Sequence, residues 1–243
     1  MEVAAHLDAV RRDGALLAAT PPAALERTVP SCPDWTVAAL LGHTGWVHRW
    51  VTATLLAPPD SPPSPKTIER APADPAAAPG WYAASLDAML DAFARVDLTQ
   101  TFKTFVGPQP GAWWARRMAH ETSIHRWDAQ AASGAPEPID AVLAADGIDE
   151  ALTTYLVGRF DRAAFGATGQ TLHLHATDTE GEWMLTMGAD DIRIERAHGK
   201  ADTALRGPAS ELQLWVMSRR GTDGLEIFGD DALPARWQAA ANF

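Results

Sequence analysis

Beyond Gly169 the apolar residues of this chain change their spacing. Before it they recur every three or four residues; after it they alternate, as in "TLHLHATD" and "IRIER". A side chain returns to one face every 3.6 residues in a helix and every second residue in a strand, so the two patterns specify different elements. Helices first and a mixed sheet second define an α+β chain with two domains, 1–165 and 166–243, the junction falling near 163–170. A length of 243 residues is enough for two separate cores.

Within the first part the pattern predicts five helices. The first covers most of 2–19 and stops at Thr20-Pro21-Pro22; the second is capped by Asp34 and runs from Trp35 toward Leu56. Residues 57–79 hold 8 of the chain's 18 prolines, which excludes a regular helix or central strand and predicts a long exposed connection. A third helix runs from Trp81 to about Val96, with Leu86, Met89, Leu90 and Phe93 on one stripe. The fourth runs from near Ala112 to about Ser133, before Pro136 and Pro138, and the fifth occupies 140–160. In the second part, strands are expected at 171–178, 182–188, 192–196, 201–207 and 225–230, with a helix opening on Pro208.

Composition narrows the function. A net charge of −11 offers no basic face for phosphates, so nucleic acid is not an expected partner. No apolar run approaches the roughly 20 residues that span a bilayer, and the charged N-terminal helix lacks the apolar core of a signal peptide, which together predict a cytoplasmic protein with no membrane partner. The single cysteine, Cys32, excludes an internal disulfide and any multi-cysteine zinc site, so a bound metal would be held by nitrogen and oxygen. Seven of the ten tryptophans lie at or before Trp127, where large apolar area is expected to serve helix packing.

The stretch with most chemistry is "AHETSIHRWDAQ", residues 119–130. A helix turns by about 100° per residue, so Glu121 and His125 share a face while His120 and His125 diverge by roughly 140°. Any metal here is gripped by Glu121 with His125. A third ligand has to come from elsewhere, and His6, His43, His48 and His120 are available. His43 lies in "LLGHTGW" between two glycines, each costing roughly 1 kcal/mol of helix stability, a cost that a metal shared between helices would explain. A His₂Glu set leaves coordination positions open for water or substrate, although buried structural histidines fit the same pattern.

"VPSCPDWTVAALLGHTGWVHRW" together with "RRMAHETSIHRWDAQ" resembles the mycothiol-dependent maleylpyruvate isomerase family, within the wider DinB-like group of metal-binding bundles. The resemblance implies an N-terminal up-down helix bundle followed by a small mixed α/β domain of sterol-carrier type. "TLHLHATDTEGEWMLTMG", "ADTALRGPASELQLWVMSRR" and "LEIFGDDALPARW" follow that domain's order. By the same resemblance the metal ligands are His43, Glu121 and His125, the ion is divalent and taken as zinc, and mycothiol is the thiol cosubstrate. An arginine in a Trp-x-x-Gly-Arg pattern is implied in catalysis; here the stretch reads Trp215-Val216-Met217-Ser218-Arg219-Arg220, which matches Arg219 with serine in place of glycine.

The implied chemistry is a thiolate that adds to the double bond of a small electrophilic substrate, permits rotation and is expelled, or that remains as a conjugate. Arg219 would clamp a substrate carboxylate. Asp128, within a turn of His125, is a candidate partner for its imidazole, with a solvated surface charge as the alternative. His173 and His175, alternating on one strand, read as sheet-surface residues. Arg126 and Trp127 read as packing and surface pairing, and Cys32 as a small buried residue. A monomer or weak homodimer is expected. Other readings are a non-catalytic metal- or lipid-binding module and a metal-dependent hydrolase that uses no thiol; the absence of a second carboxylate as general base disfavours the hydrolase.

Overall fold

Residues 1–155 and 159–241 are described by the computed structural model of the chain. The helical periodicity folds as α1 (Val3–Ala18), α2 (Val37–Leu56), α3 (Ala78–Arg95) and α4 (Gly111–Ala131). α1 packs on α4 and α3, and α2 packs on α3 and α4, so α1 and α2 lie diagonally across a four-helix bundle. Tyr82, Met89, Leu40, Leu41, Trp114 and Met118 are fully buried in it.

Two short hairpins frame the bundle. β1 (Thr28–Val29) pairs antiparallel with β2 (Cys32–Thr36), and β3 (Thr101–Thr104) with β4 (Gly107–Pro110). The first hairpin corrects the expected start of the second helix. Asp34 is exposed in the extended β2, and the cap is Thr36, whose hydroxyl accepts from the Ala39 N–H at 3.2 Å.

The glycines beside His43 have a packing reason. A Cβ on Gly45 would come within 2.4 Å of the Trp81 ring of α3, and one on Gly42 within 3.0 Å of the Ala71 side chain. They admit α3 and the proline-rich connection, so close packing is a sufficient reason for their cost. That connection is mostly exposed and contains only single 3₁₀ turns at Pro65–Thr67 and Pro75–Ala77. It is fastened to α2 by Arg49, which donates to Glu69 at 2.6 Å, and by Arg70, whose guanidinium lies 4.2 Å over the Trp46 ring.

In the second half, α5 (Ala141–Glu150) is capped by Asp140, which accepts from the Leu143 N–H, and continues as one π turn over Ala151–Tyr155. The expected extension of this helix to residue 160 crosses 156–158, outside the described residues. A short α6 (Arg162–Phe165) leads to β5 (Gln170–Ala176), β6 (Glu182–Met187), β7 (Ile192–Glu195) and β8 (Thr203–Gly207). Then come α7 (Ala209–Val216), β9 (Glu226–Gly229) and α8 (Leu233–Ala240), the last not foreseen from the sequence. The sheet order is β7-β6-β5-β8-β9, with β5 and β8 parallel and the other pairs antiparallel.

One face of this sheet carries Leu172, Leu174, Trp183, Leu185 and Leu205, all fully buried. α7 packs on β5, β8 and α5, and the Trp183 indole N–H donates to Asp149 of α5 at 2.7 Å. The chain divides into Met1–Glu137 and Pro138–Phe243, so α5 belongs with the sheet and not, as the 1–165 boundary had it, with the bundle. Its apolar stripe has the bundle's period, and period alone does not say which core a helix joins.

Candidate metal centre

Contact between α2 and α4 brings His43 opposite one face of α4. Glu121 and His125, one turn apart on that face, meet it. The Glu121 Oε1 lies 3.2 Å from the His43 Nε2 and 3.3 Å from the His125 Nε2. The two rings stand nearly perpendicular with centroids 5.2 Å apart. One donor atom from each residue falls within 4.8 Å of the others.

Neighbouring side chains fix the orientation of these groups. Arg117, one turn before Glu121, donates to its Oε2 at 2.6 Å and leaves Oε1 for the histidines. Asp128 is fully buried; its Oδ2 lies 3.1 Å from the His125 Nδ1, and its Oδ1 accepts from the Ser31 hydroxyl at 2.6 Å. The Nδ1 contact turns the other imidazole nitrogen, Nε2, toward Glu121 and His43, as metal-ligating histidines require. Trp35 packs on the His43 ring at 4.8 Å. Sequence reasoning anticipated Asp128 but missed Arg117, whose i,i+4 spacing to Glu121 was the available signal, and Ser31, which carried none.

Electrostatics follow from burial and charge. Burial pushes the His125 imidazolium down, but the Glu121 charge and the hydrogen bonds of Asp128 and Glu121 outweigh it and hold its pKa at about 9. For Glu121, burial opposes ionisation, and His125, His43 and Arg117 together keep its carboxyl well below the usual range. His48 takes no part in the cluster. Its Nε2 lies 3.1 Å from the Thr122 hydroxyl, and burial lowers its pKa to about 3, leaving it neutral. His120 is buried against the edge of the His6 ring.

Beside His43 opens a cleft of about 470 Å³, lined among others by Trp35, Gly42, Arg70, Pro72 and Pro75. The proline-rich connection thus forms one wall, and Arg70 is a cation in it that the sequence had not singled out.

Arg219 lies in the second unit, just past α7. Ser218 has φ +56°, its N–H bonds the Trp215 carbonyl, and the Arg219 N–H bonds the Leu214 carbonyl. This is a Schellman ending, whose left-handed position favours glycine, so serine stands at the glycine of the Trp-x-x-Gly-Arg pattern. The Arg219 guanidinium donates to the Met217 carbonyl at 2.8 Å, while that of Arg220 pairs with Glu211.

His173 and His175 are not the surface pair expected of them. His173 is buried, and both face Glu182 of β6 together with His198 from the β7–β8 connection.

Among the described residues no helix is long and apolar enough to cross a membrane. Two solved structures share the fold over 93% of this chain and 93% of their own: the mycothiol-dependent maleylpyruvate isomerase, with TM-score 0.66 and 15% identity, and a histidine-to-alanine mutant of mycothiol-dependent maleylpyruvate isomerase, with TM-score 0.64 and 14% identity. No curated protein matches the chain in sequence. Residues 6–130 match the mycothiol maleylpyruvate isomerase N-terminal domain and residues 142–236 the corresponding C-terminal domain, so the chain belongs to the mycothiol-dependent maleylpyruvate isomerase family.

Proposed function

We propose that this protein is a metal-dependent enzyme that uses mycothiol to isomerise, or to transfer the thiol onto, a small electrophilic carboxylate. The observation that carries the reading is the convergence of the His43 Nε2, His125 Nε2 and Glu121 Oε1, with His43 also lining a cleft. The donor set fits a divalent ion. Two imidazoles and one carboxylate oxygen are the mixed nitrogen–oxygen set of a zinc site, and three protein ligands leave a position open for a reactant. When bound, such an ion lowers the pKa of a neighbouring thiol and supplies thiolate at neutral pH.

The chain's own residues organise that chemistry. Asp128 holds the His125 ring in one orientation, and Arg117 occupies the second oxygen of Glu121, so both ligands are set in place beforehand. Trp35 and the connection wall the cleft beside His43. Arg219 is the proposed clamp for the substrate carboxylate; the left-handed Ser218, at the glycine of the Trp-x-x-Gly-Arg pattern, supports Arg219 over its neighbour. A protein at −11 repels small carboxylates unless a local cation offsets its field.

The test compares metal-loaded protein, with and without mycothiol, on cis-unsaturated keto acids and on halogenated electrophiles. Turnover that needs both metal and thiol is expected; equal turnover without thiol would overturn the thiol-dependent reading, and a hydrolysis product would establish a hydrolase-type reaction instead. Arg219→Ala is expected to keep its metal and lose about 10²-fold in turnover, equivalent to about 3 kcal/mol of transition-state stabilisation, with little recovery in Arg219→Lys. Unchanged turnover of a carboxylate substrate would remove Arg219 from the mechanism.

A further inference from the structure

We propose a second divalent-cation site in the C-terminal unit, formed by His173, His175, Glu182 and His198. β5 places His173 and His175 two residues apart, hence on one face of the sheet, the face opposite Leu172 and Leu174. The antiparallel register sets Glu182 of β6 directly across from His175. His198 reaches the same point from the connection between β7 and β8. That connection lies over the sheet, since a Cβ on Gly199 would meet the Met184 side chain at 3.1 Å.

The four side chains converge on one another. The Glu182 carboxylate lies 3.3 Å from the His173 Nε2, 3.1 Å from the His175 Nδ1 and 2.8 Å from the His198 Nδ1. One donor atom from each residue falls within 4.8 Å of the others. Zinc bonds of about 2.0–2.1 Å in a tetrahedron require donors about 3.3–3.4 Å apart, so an ion would need to draw no pair of donors together by more than about 1.5 Å. The three imidazoles stand at 78–88° to one another, so they meet at the carboxylate from different directions instead of stacking.

Charge agrees with this assignment. Histidines ligate metal as neutral imidazoles, so a ligand set of three histidines and one carboxylate carries a formal charge of −1, which a divalent ion reverses without leaving a large excess. Arg206 neighbours His175 across the parallel β5–β8 pair, but its guanidinium is bound to Glu226 at 2.9 Å. The donor set is nitrogen-rich, which selects zinc, nickel, cobalt or copper over magnesium or calcium. Four protein ligands close the coordination shell, so this site is structural: it pins the connection bearing His198 to the sheet. His173 is buried beneath the cluster, whereas the His198 side chain is 78% exposed and serves as the last ligand to engage.

The experiment uses tag-free full-length protein, stripped with chelator, reloaded with zinc, dialysed and assayed for metal per chain. Wild type is expected to retain about two equivalents, and the His175→Ala/His198→Ala double variant about one. His43→Ala, which disables only the first centre, is expected to keep the equivalent at the second. In that background zinc should raise the melting temperature, and adding His198→Ala should abolish the rise; because His198 is exposed, its loss does not disturb the core. The proposal is overturned if wild type binds one equivalent that His43→Ala removes, or if the His175/His198 variant still binds two. The two centres fail separately, since each has its own variant.

Discussion

Asp128→Asn changes one charge in the metal centre while keeping its shape. The asparagine carbonyl can still accept from the His125 Nδ1–H, and the Ser31 hydroxyl can reverse to accept from the amide, so both of these contacts stay paired. What is lost is the difference between a charge-assisted hydrogen bond and a neutral one, about 1–1.5 kcal/mol at a fully buried site. With His125 neutral in both proteins, this predicts metal binding weaker by about tenfold. Near pH 7 a second effect opposes it. His125 holds its proton up to about 9, so metal entry at pH 7 must displace that proton, at a cost of about 2.7 kcal/mol. Asp128 contributes to holding that proton, so asparagine lowers this cost along with the ligand strength. The gap between the two proteins should therefore be about tenfold above pH 9 and shrink toward pH 7. Competition titrations against a zinc chelator across this range measure it, with circular dichroism to establish intact folding. A gap independent of pH, or none above pH 9, refutes the assigned role of Asp128.

Other expectations rest on packing and titration. Gly45→Ala should destabilise by about 1–2 kcal/mol, because a methyl 2.4 Å from the Trp81 ring outweighs the gain in helix propensity, whereas Gly80→Ala in α3 meets nothing within 4 Å and should gain about 0.5–1 kcal/mol; paired thermal melts decide. His48, at about 3 in the folded state against 6.5 unfolded, stays neutral in the fold while the unfolded chain takes up its proton, so stability is full above pH 6.5 and falls as pH drops toward 3; chemical denaturation across that range should show a flatter profile in His48→Gln. Ser218→Gly should stabilise by about 0.5–1 kcal/mol by relieving a left-handed non-glycine residue, read as a higher urea midpoint at unchanged m-value.

What could be read beforehand depended on whether partners lie along one element or across several. Glu121 and His125 stand a turn apart on one helix, so their shared face follows from the helical period, as does the nearby Asp128. Fixing His43 as the third partner needed either family resemblance or the packing of α2 on α4. The His173–His175–Glu182–His198 cluster was unreadable, because it depends on strand register and on a connection that doubles back over the sheet. The cap at Thr36 was missed because a two-strand hairpin keeps Asp34 extended, which local helix signals do not report. α5 was correctly seen as a helix and assigned to the wrong unit, since Leu143 and Ile148 would suit either core.

The wall of the cleft beside His43 bears on how such a protein can diversify. The candidate ligands sit on α2 and α4, whose packing carries the bundle, whereas Arg70, Pro72 and Pro75 belong to an exposed segment with almost no regular structure. Substitution, shortening or lengthening of that segment reshapes what the cleft admits at little cost to the core, because loops tolerate such change far better than helices do. In the proposed enzyme, the shape of the cleft and the metal ligands would thus lie on separate stretches of chain, so that one could change while the other is kept.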